Sequence, residues 1–241
     1  GFDDRPLPAD RLGELAADPA FRLLGWDAPQ TLPEGVEAVI ASPGVPAGRP
    51  LLAAARERGI PVVAEVELAW QHLRGKVVAI TGSNGKSTTT ALAGALLAAT
   101  GEPVEVCGNI GLPLSACVEP AAATPGRLFV VELSSFQLEG IASLAPAAAA
   151  LLNVSPDHLD RHGDLAAYRA AKQRIVAFQG PGGVAVVNAG EPGRATETLA
   201  ARLRRFSLAG PVEDGCWLDG DRVVERGPGE APAELFRLAD L

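Results

Sequence analysis

"KVVAITGSNGKSTTT", residues 76–90, runs from an apolar stretch into two glycines, a lysine and six hydroxyl residues. Val77 to Ile80 are β-branched or small, which suits a strand buried on both faces. From Lys86 onward the composition turns helical, with Leu92, Leu96 and Leu97 at helix spacing in "TTTALAGALLAAT". The glycines therefore stand at a strand-to-helix turn, where free backbone N–H groups and the positive end of a helix dipole form an anion site. The phosphate-loop pattern G-x-x-x-x-G-K-[ST] fits Gly85-Lys86-Ser87, although its first glycine falls on Ile80. On this reading the backbone amides of residues 82 to 87 cradle a nucleotide triphosphate, and the ATP-binding residues are Gly82, Ser83, Asn84, Gly85, Lys86, Ser87 and Thr88. Lys86 neutralises the β and γ charge, and the Ser87 hydroxyl meets magnesium. The bland alternative is a glycine turn that only caps a helix.

Composition narrows the classes. The 241 residues suffice for one large or two modest domains. A formal net charge of −8 and the lack of any basic stripe argue against nucleic acid. Cys107, Cys117 and Cys216 have neither metal-ligand spacing nor the makings of a disulfide framework, which fits a reducing cytoplasm. No apolar run reaches membrane-spanning length and no signal-peptide pattern is present. Only three of the 21 basic residues, Lys76, Lys86 and Lys172, are lysines. In so arginine-biased a chain, a lysine is a candidate for chemistry that arginine cannot perform.

Read in order, the chain is α/β. Residues 1–73 form a partial Rossmann-like domain: a strand in "VEAVIASPGV" ending at a Ser-Pro-Gly turn, a helix in "RPLLAAARERG" closed by Gly59, a strand in "IPVVAEV" and a short helix in "EVELAWQHL". The junction falls in "LRGK". Residues 74–241 form a mostly parallel-sheet P-loop ATPase domain. Its strands are expected at 76–81, 103–107, 128–133, 147–154 and 183–187, with helices at 86–99, near 112–118 and at 164–178. "CWLDGDRVVER" reads as a hairpin with an Asp-Gly turn.

Several polar residues stand where strands end. Glu132 closes the apolar run of "LFVVELSSFQLEG", on the edge that carries the glycine turn; it reads as a magnesium ligand or as a capping or salt-bridged carboxylate. "LLNVSPDHLDRHG" holds His158 and His162 among Asp157, Asp160 and Arg161. His158 is taken as metal-linked rather than as a plain loop residue, and His162 as a capping or packing residue. In "GDLAAYRAAKQRIVAFQ", Lys172 lies in the middle of an apolar helix face made by Leu165, Tyr168, Ile175 and Val176, flanked by Arg169 and Arg174. It either snorkels past that face or is buried with a partner or a changed identity. Asn109, between glycines in "CGNIGLPLS", is turn chemistry or a holder of a substrate oxygen.

Together "TGSNGKST", "GNIGLP", "ELSSFQLE", "NVSPDHLDRHG" and "YRAAKQRI" resemble the Mur ligases, most of all the branch that adds D-glutamate. The resemblance is strong over the central domain and loose over the first 73 residues, through "ASPGVP". It implies ATP-driven amide synthesis in the building of peptidoglycan precursors. The terminal carboxylate of UDP-N-acetylmuramoyl-L-alanine attacks the γ-phosphate of ATP, and D-glutamate's amine displaces phosphate from the acyl phosphate. By the same resemblance Lys86, Glu132, His158 and Lys172 are catalytic, and Ser87 with Glu132 forms a first Mg2+ site. His158 and Lys172, the latter as a carbamate favoured by burial and by nearby Arg169, form the second. Gly44, Asn109, Ser134 and His158 face the substrate. A monomer is expected. The family's first uridine-binding strand, its His-Asn-x-x-Asn stretch and its third domain are missing from the 241 residues, so the chain alone is expected to bind ATP weakly without making the amide. The alternatives are another Mur or folylpolyglutamate-type ligase, or a nucleotide-binding switch module that does not ligate; the absence of an Asn-Lys-x-Asp motif speaks against the last.

Overall fold

The computed structural model describes residues 31–46, 48–118, 124, 126–191 and 199–240, so the first thirty residues of the expected N-terminal domain lie outside the described residues. Among the described residues, 31–39 and 48–61 belong to one compact unit, and 40–46 and 62–240 to the other. The expected junction at 73–76 therefore lies inside the second unit. The first unit holds helix α1 (Pro50–Glu57), which starts on a proline. Its cyclic φ suits the first helical position, where an N–H has no partner to lose.

β1 (Val39–Ala41) and β2 (Val62–Ala64) make a two-stranded sheet. Directly after β2 comes α2 (Glu65–His72). Its Glu67 carboxylate is fully buried and accepts hydrogen bonds from the Ala142 and Leu144 amides and the Ser143 hydroxyl. These three donors, besides Gln71 Nε2 from α2 itself, lock α2 to the loop after the short helix at 135–139.

The main sheet has nine strands in the order β11-β10-β9-β8-β7-β6-β3-β5-β4. β3 (Lys76–Thr81), β4 (Val104–Gly108), β5 (Leu128–Glu132), β6 (Ala148–Leu151), β7 (Val184–Asn188), β8 (Arg202–Ser207) and β9 (Gly215–Asp219) are parallel. β10 (Arg222–Arg226) and β11 (Ala233–Arg237) run antiparallel to their neighbours. The hairpin turn is Gly220-Asp221, one residue later than the Asp-Gly expected, because Asp219 still pairs with Arg222. β8 and β11 have no counterpart in the sequence reading. The "RLRRFS" of β8 carries three arginines, and two of them, Arg202 and Arg204, pair with Asp214 just before β9, a pairing that residue pattern alone does not reveal.

Chain order reverses at β3, which lies between β5 and β6. Helix α3 (Lys86–Ala98) follows it, and ligands of open α/β sheets sit at the carboxyl edge beside such a reversal. The core under this edge includes Phe129, Leu133, Leu138, Leu144 and Ile175, each at most 1% exposed. Each such side chain contributes about 1.5–3 kcal/mol on burial.

The apolar face of α3 is not the one its leucines suggest. Leu92 and Leu96 are 58% and 63% exposed, while Thr90 and Gly94 are buried. A Cβ on Gly94 would come within 2.3 Å of Val106 Cγ2, so the helix meets β4 through its glycine at near backbone contact. The expected helix near 112–118 is a single 3-10 turn, Leu114–Cys117. β6 stops at Leu151 rather than at 154, for a reason that lies in the site.

Candidate functional site

α3 begins directly after the glycine turn, with Gly85 as its N-cap and no side chain capping it. Its first intrahelical bond runs from Thr89 N to Gly85 O, so the N–H groups of the preceding turn have no helical partner. Lys86 folds back, and its Nζ donates to Ser83 O at 3.0 Å. Ser87 and Thr88 are exposed.

Not every amide of the loop is open. Asn153, just past the end of β6, turns its carboxamide into the loop. Its Oδ1 accepts from Ser83 N at 3.1 Å and Asn84 N at 2.9 Å, and its Nδ2 donates to Asn84 O at 3.0 Å. Ser83 N also donates to Asn153 O at 2.9 Å. Ser83 Oγ lies 3.0 Å from Ser155 O and 3.2 Å from the Tyr168 hydroxyl, and it accepts from Ser155 N. Residues 152–155 thus follow the glycine loop instead of extending the ladder, which shortens β6. The Ser83 and Asn84 amides, expected among those offered to phosphate, are bonded to Asn153.

Glu132 is register-paired with Ile80, two residues before Gly82, and is 1% exposed. Its Oε1 accepts from Asn109 Nδ2 at 2.9 Å; its Oε2 is buried without a hydrogen-bond partner. Among the described residues it is therefore neither a cap nor half of an ion pair. Asn109 also donates its backbone N–H to Glu132 O, so the amide steers the carboxylate besides shaping the turn. The turn can come this close because residue 108 is glycine: at φ +104, a Cβ there would lie 2.4 Å from Glu132 O.

Lys172 stands on α6 (Leu165–Gln173) and is 1% exposed, so the snorkelling reading is excluded. Its Nζ donates to Gly82 O at 2.7 Å and lies 4.7 Å from the Tyr168 ring centroid. Burial, and then repulsion from Lys86, lower its pKa to about 8, while Asp157 and Glu132 act the other way. The cation that matters is Lys86. Arg169, expected in that part, lies 3.8 Å from Glu191 instead.

His158 caps α5 (Leu159–His162) with φ 50 and is the one non-glycine residue at positive φ among the described residues. Strain of that kind persists where the surroundings over-determine it. Its ring packs 4.9 Å from Phe136, with Nε2 3.5 Å from Asp157 Oδ2. His158 and Lys172 flank the same Tyr168 ring. His162 is packed, with Nε2 3.0 Å from Ser135 Oγ and its ring stacked on Phe136.

Two substrate-facing candidates have local partners. Ser134 caps α4 (Ser135–Glu139) in a capping box with Gln137, which engages its hydroxyl. Gly44 lies in a turn closed by Val45 N to Ser42 O, and Arg161 holds that turn by donating to Pro43 O at 2.9 Å. Arg161 also pairs with Glu139 at 2.7 Å and lies over Phe136.

Magnesium favours hard oxygen donors. Among the described residues no three His, Cys, Asp or Glu side chains cluster as a ready-made metal cage. A magnesium ion carried by phosphates does not need one, and the unpartnered Oε2 of Glu132, on the edge of the glycine loop, fits such an ion. Asn153, Tyr168 and Arg161 were not singled out as site residues. Asn153 did leave a signal, a lone amide immediately after an apolar strand.

Fold and site define a phosphate-loop α/β protein built on a mostly parallel sheet. Residues 80–215 match the family described as Mur ligase middle domain, and the chain belongs to the Mur ligase family. It is 51% identical to "UDP-N-acetylmuramoylalanine--D-glutamate ligase" of Anaeromyxobacter dehalogenans (strain 2CP-C) over 235 residues, covering 94% of this chain and 48% of that protein. Its identity to the protein of the same name from Myxococcus xanthus (strain DK1622) is 46%, over 95% of this chain and 49% of the relative. The chain thus spans about half the length of the curated relatives it matches. Among solved structures, the UDP-N-acetylmuramate:L-alanyl-gamma-D-glutamyl-meso-diaminopimelate ligase from Neisseria meningitides shares the fold with TM-score 0.54 at 18% identity, covering 95% of this chain and 76% of that one. E. coli FolC in complex with ADP gives TM-score 0.52 at 17% identity, over 80% of this chain and 58% of the other.

Proposed function

We propose that this chain is the nucleotide-binding part of an ATP-dependent ligase that joins D-glutamate to UDP-N-acetylmuramoyl-L-alanine through an acyl phosphate. The observation that carries the reading is Glu132: a buried carboxylate oxygen without a partner, on the edge where Lys86 and the uncapped start of α3 stand. The relatives' names supply the substrate pair, and the reaction's charge problem supplies the logic. A carboxylate must approach a triphosphate, so anion must meet anion.

Gly85 to Thr88 offer N–H groups to the phosphate chain, and Lys86 leaves Ser83 O to neutralise the transferring phosphoryl group. The Ser87 hydroxyl and Glu132 would hold Mg2+, which when bound supplies positive charge to the β- and γ-phosphate oxygens. Asn109 keeps Glu132 pointed at that position. His158 and Lys172, the latter as a carbamate, would hold a second Mg2+. A neutral Lys172 amine reacts with CO2 to give Lys–NH–COO⁻ and a proton. Burial lowers the pKa of this amine to about 8, which favours the neutral form that CO2 needs. The carbamate keeps one N–H, enough for the bond to Gly82 O. Gly44, Asn109, Ser134 and His158 make up the substrate side, and the protein acts in the cytoplasm as a monomer.

In the intact enzyme, ATP-dependent incorporation of labelled D-glutamate into UDP-N-acetylmuramoyl-L-alanine, against a panel of other amino acids, tests this reading. Lys86→Arg should lose activity at least a hundredfold, because a planar guanidinium cannot replace a compact ammonium among backbone groups. Near-normal ligation by that variant would overturn the assignment.

A further inference from the structure

Asn153 carries an arrangement that the proposed chemistry does not use. One carboxamide satisfies Ser83 N, Asn84 N and Asn84 O, all within 3.1 Å. Two converging N–H groups on a single oxygen are what a glycine loop offers a phosphate oxygen. Here an amide from the loop after β6 takes that place. Ser155 N and the Tyr168 hydroxyl secure the next atom, Ser83 Oγ. Lys86 Nζ and Lys172 Nζ reach the adjoining carbonyls, Ser83 O and Gly82 O. The first half of the loop is thus fixed by protein groups, while among the described residues no side chain caps the second half at the N-terminus of α3.

We propose that Asn153 is a positioning residue: its neutral carboxamide stands in for a phosphate oxygen at Ser83 and Asn84, holding the loop in its binding shape before nucleotide arrives. This rests on the nucleotide reading above and goes further by dividing the loop into a pre-occupied half and a receiving half. The group must be an amide. A carboxylate would still accept from both N–H groups, but it would face Asn84 O without a proton and add a negative charge beside the triphosphate. Preorganisation of this kind acts on affinity, since the loop is ordered before binding rather than during it.

The test is calorimetric titration of the full chain, wild type and variants, with ATP, ADP and AMP in magnesium buffer, alongside thermal unfolding. Asn153→Ala should weaken ATP and ADP about tenfold, as expected for loss of the loop's hydrogen bonds, and leave AMP unchanged. Asn153→Asp, nearly isosteric, should unfold close to wild type yet weaken ATP more than ADP, since the added charge meets one more phosphate. Equal affinities in wild type and both variants would overturn the proposal. So would a uniform loss across all three nucleotides in step with a lower melting temperature, the mark of a merely structural residue. Wild type that binds none of the three would instead sink the nucleotide reading, and this one with it.

Discussion

Glu132→Gln should make the metal-free chain more stable while removing its response to magnesium. The wild-type carboxylate is 1% exposed and has one hydrogen bond, from Asn109 Nδ2, with the second oxygen unpartnered. A buried acceptor left without a donor costs about 1–3 kcal/mol, and more when charged. Glutamine keeps the shape and the Asn109 bond and removes the charge. Its own Nε2 is then unpartnered, so part of the cost remains, and the expected net gain is about 1 kcal/mol. The assay is urea unfolding in chelator-treated buffer, then with magnesium and ATP. Wild type should gain stability as RT ln(1 + [L]/Kd), about 2.7 kcal/mol at a hundredfold excess over Kd, and the variant far less. A variant less stable than wild type without metal, or one stabilised equally by magnesium and ATP, would refute the reasoning. Such an exchange of stability for function is common where charges await a ligand.

Two further outcomes are expected. For Lys172 the folded pKa, about 8, lies below the unfolded value of about 10.4. Between those values the unfolded chain holds a proton that the folded chain has released, so stability rises with pH across that window. The stability of Lys172→Met relative to wild type should therefore fall from pH 8 to pH 10, as read by urea unfolding at each pH; a flat difference would contradict a buried, depressed amine. Arg161→Ala should destabilise by about 1–3 kcal/mol, through loss of the Pro43 carbonyl bond, the Glu139 pair and the Phe136 contact. Arg161→Lys should recover little, because a lysine cannot satisfy all three.

Much of the site was legible because it follows from local order along the chain. A β-branched run, a glycine turn and a Lys-Ser pair specify strand, loop and helix within fifteen residues. Glu132 could be placed on the same edge because parallel strands end together. What could not be read is what crosses between loops. Nothing in "LLNVSPD" tells that Asn153 folds onto residues 83 and 84, 70 and 69 residues away, which sheet order rather than sequence brings together. Burial sense was equally hidden on α3, where spacing favours Leu92 and Leu96 but the glycine at 94 decides which side can approach β4. The same lack of tertiary context set Arg169 beside Lys172 by helix spacing, when Lys86 from another element is the cation that acts on it.

The most direct test is a crystal structure of the chain with magnesium and a non-hydrolysable ATP analogue. The β- and γ-phosphates should lie on the amides of Gly85 to Thr88 with Lys86 Nζ against them, and a magnesium ion should join Ser87 Oγ to the Oε2 of Glu132. Nucleotide bound elsewhere, or a magnesium ion at the phosphates that leaves Glu132 Oε2 without contact, would contradict the central assignment.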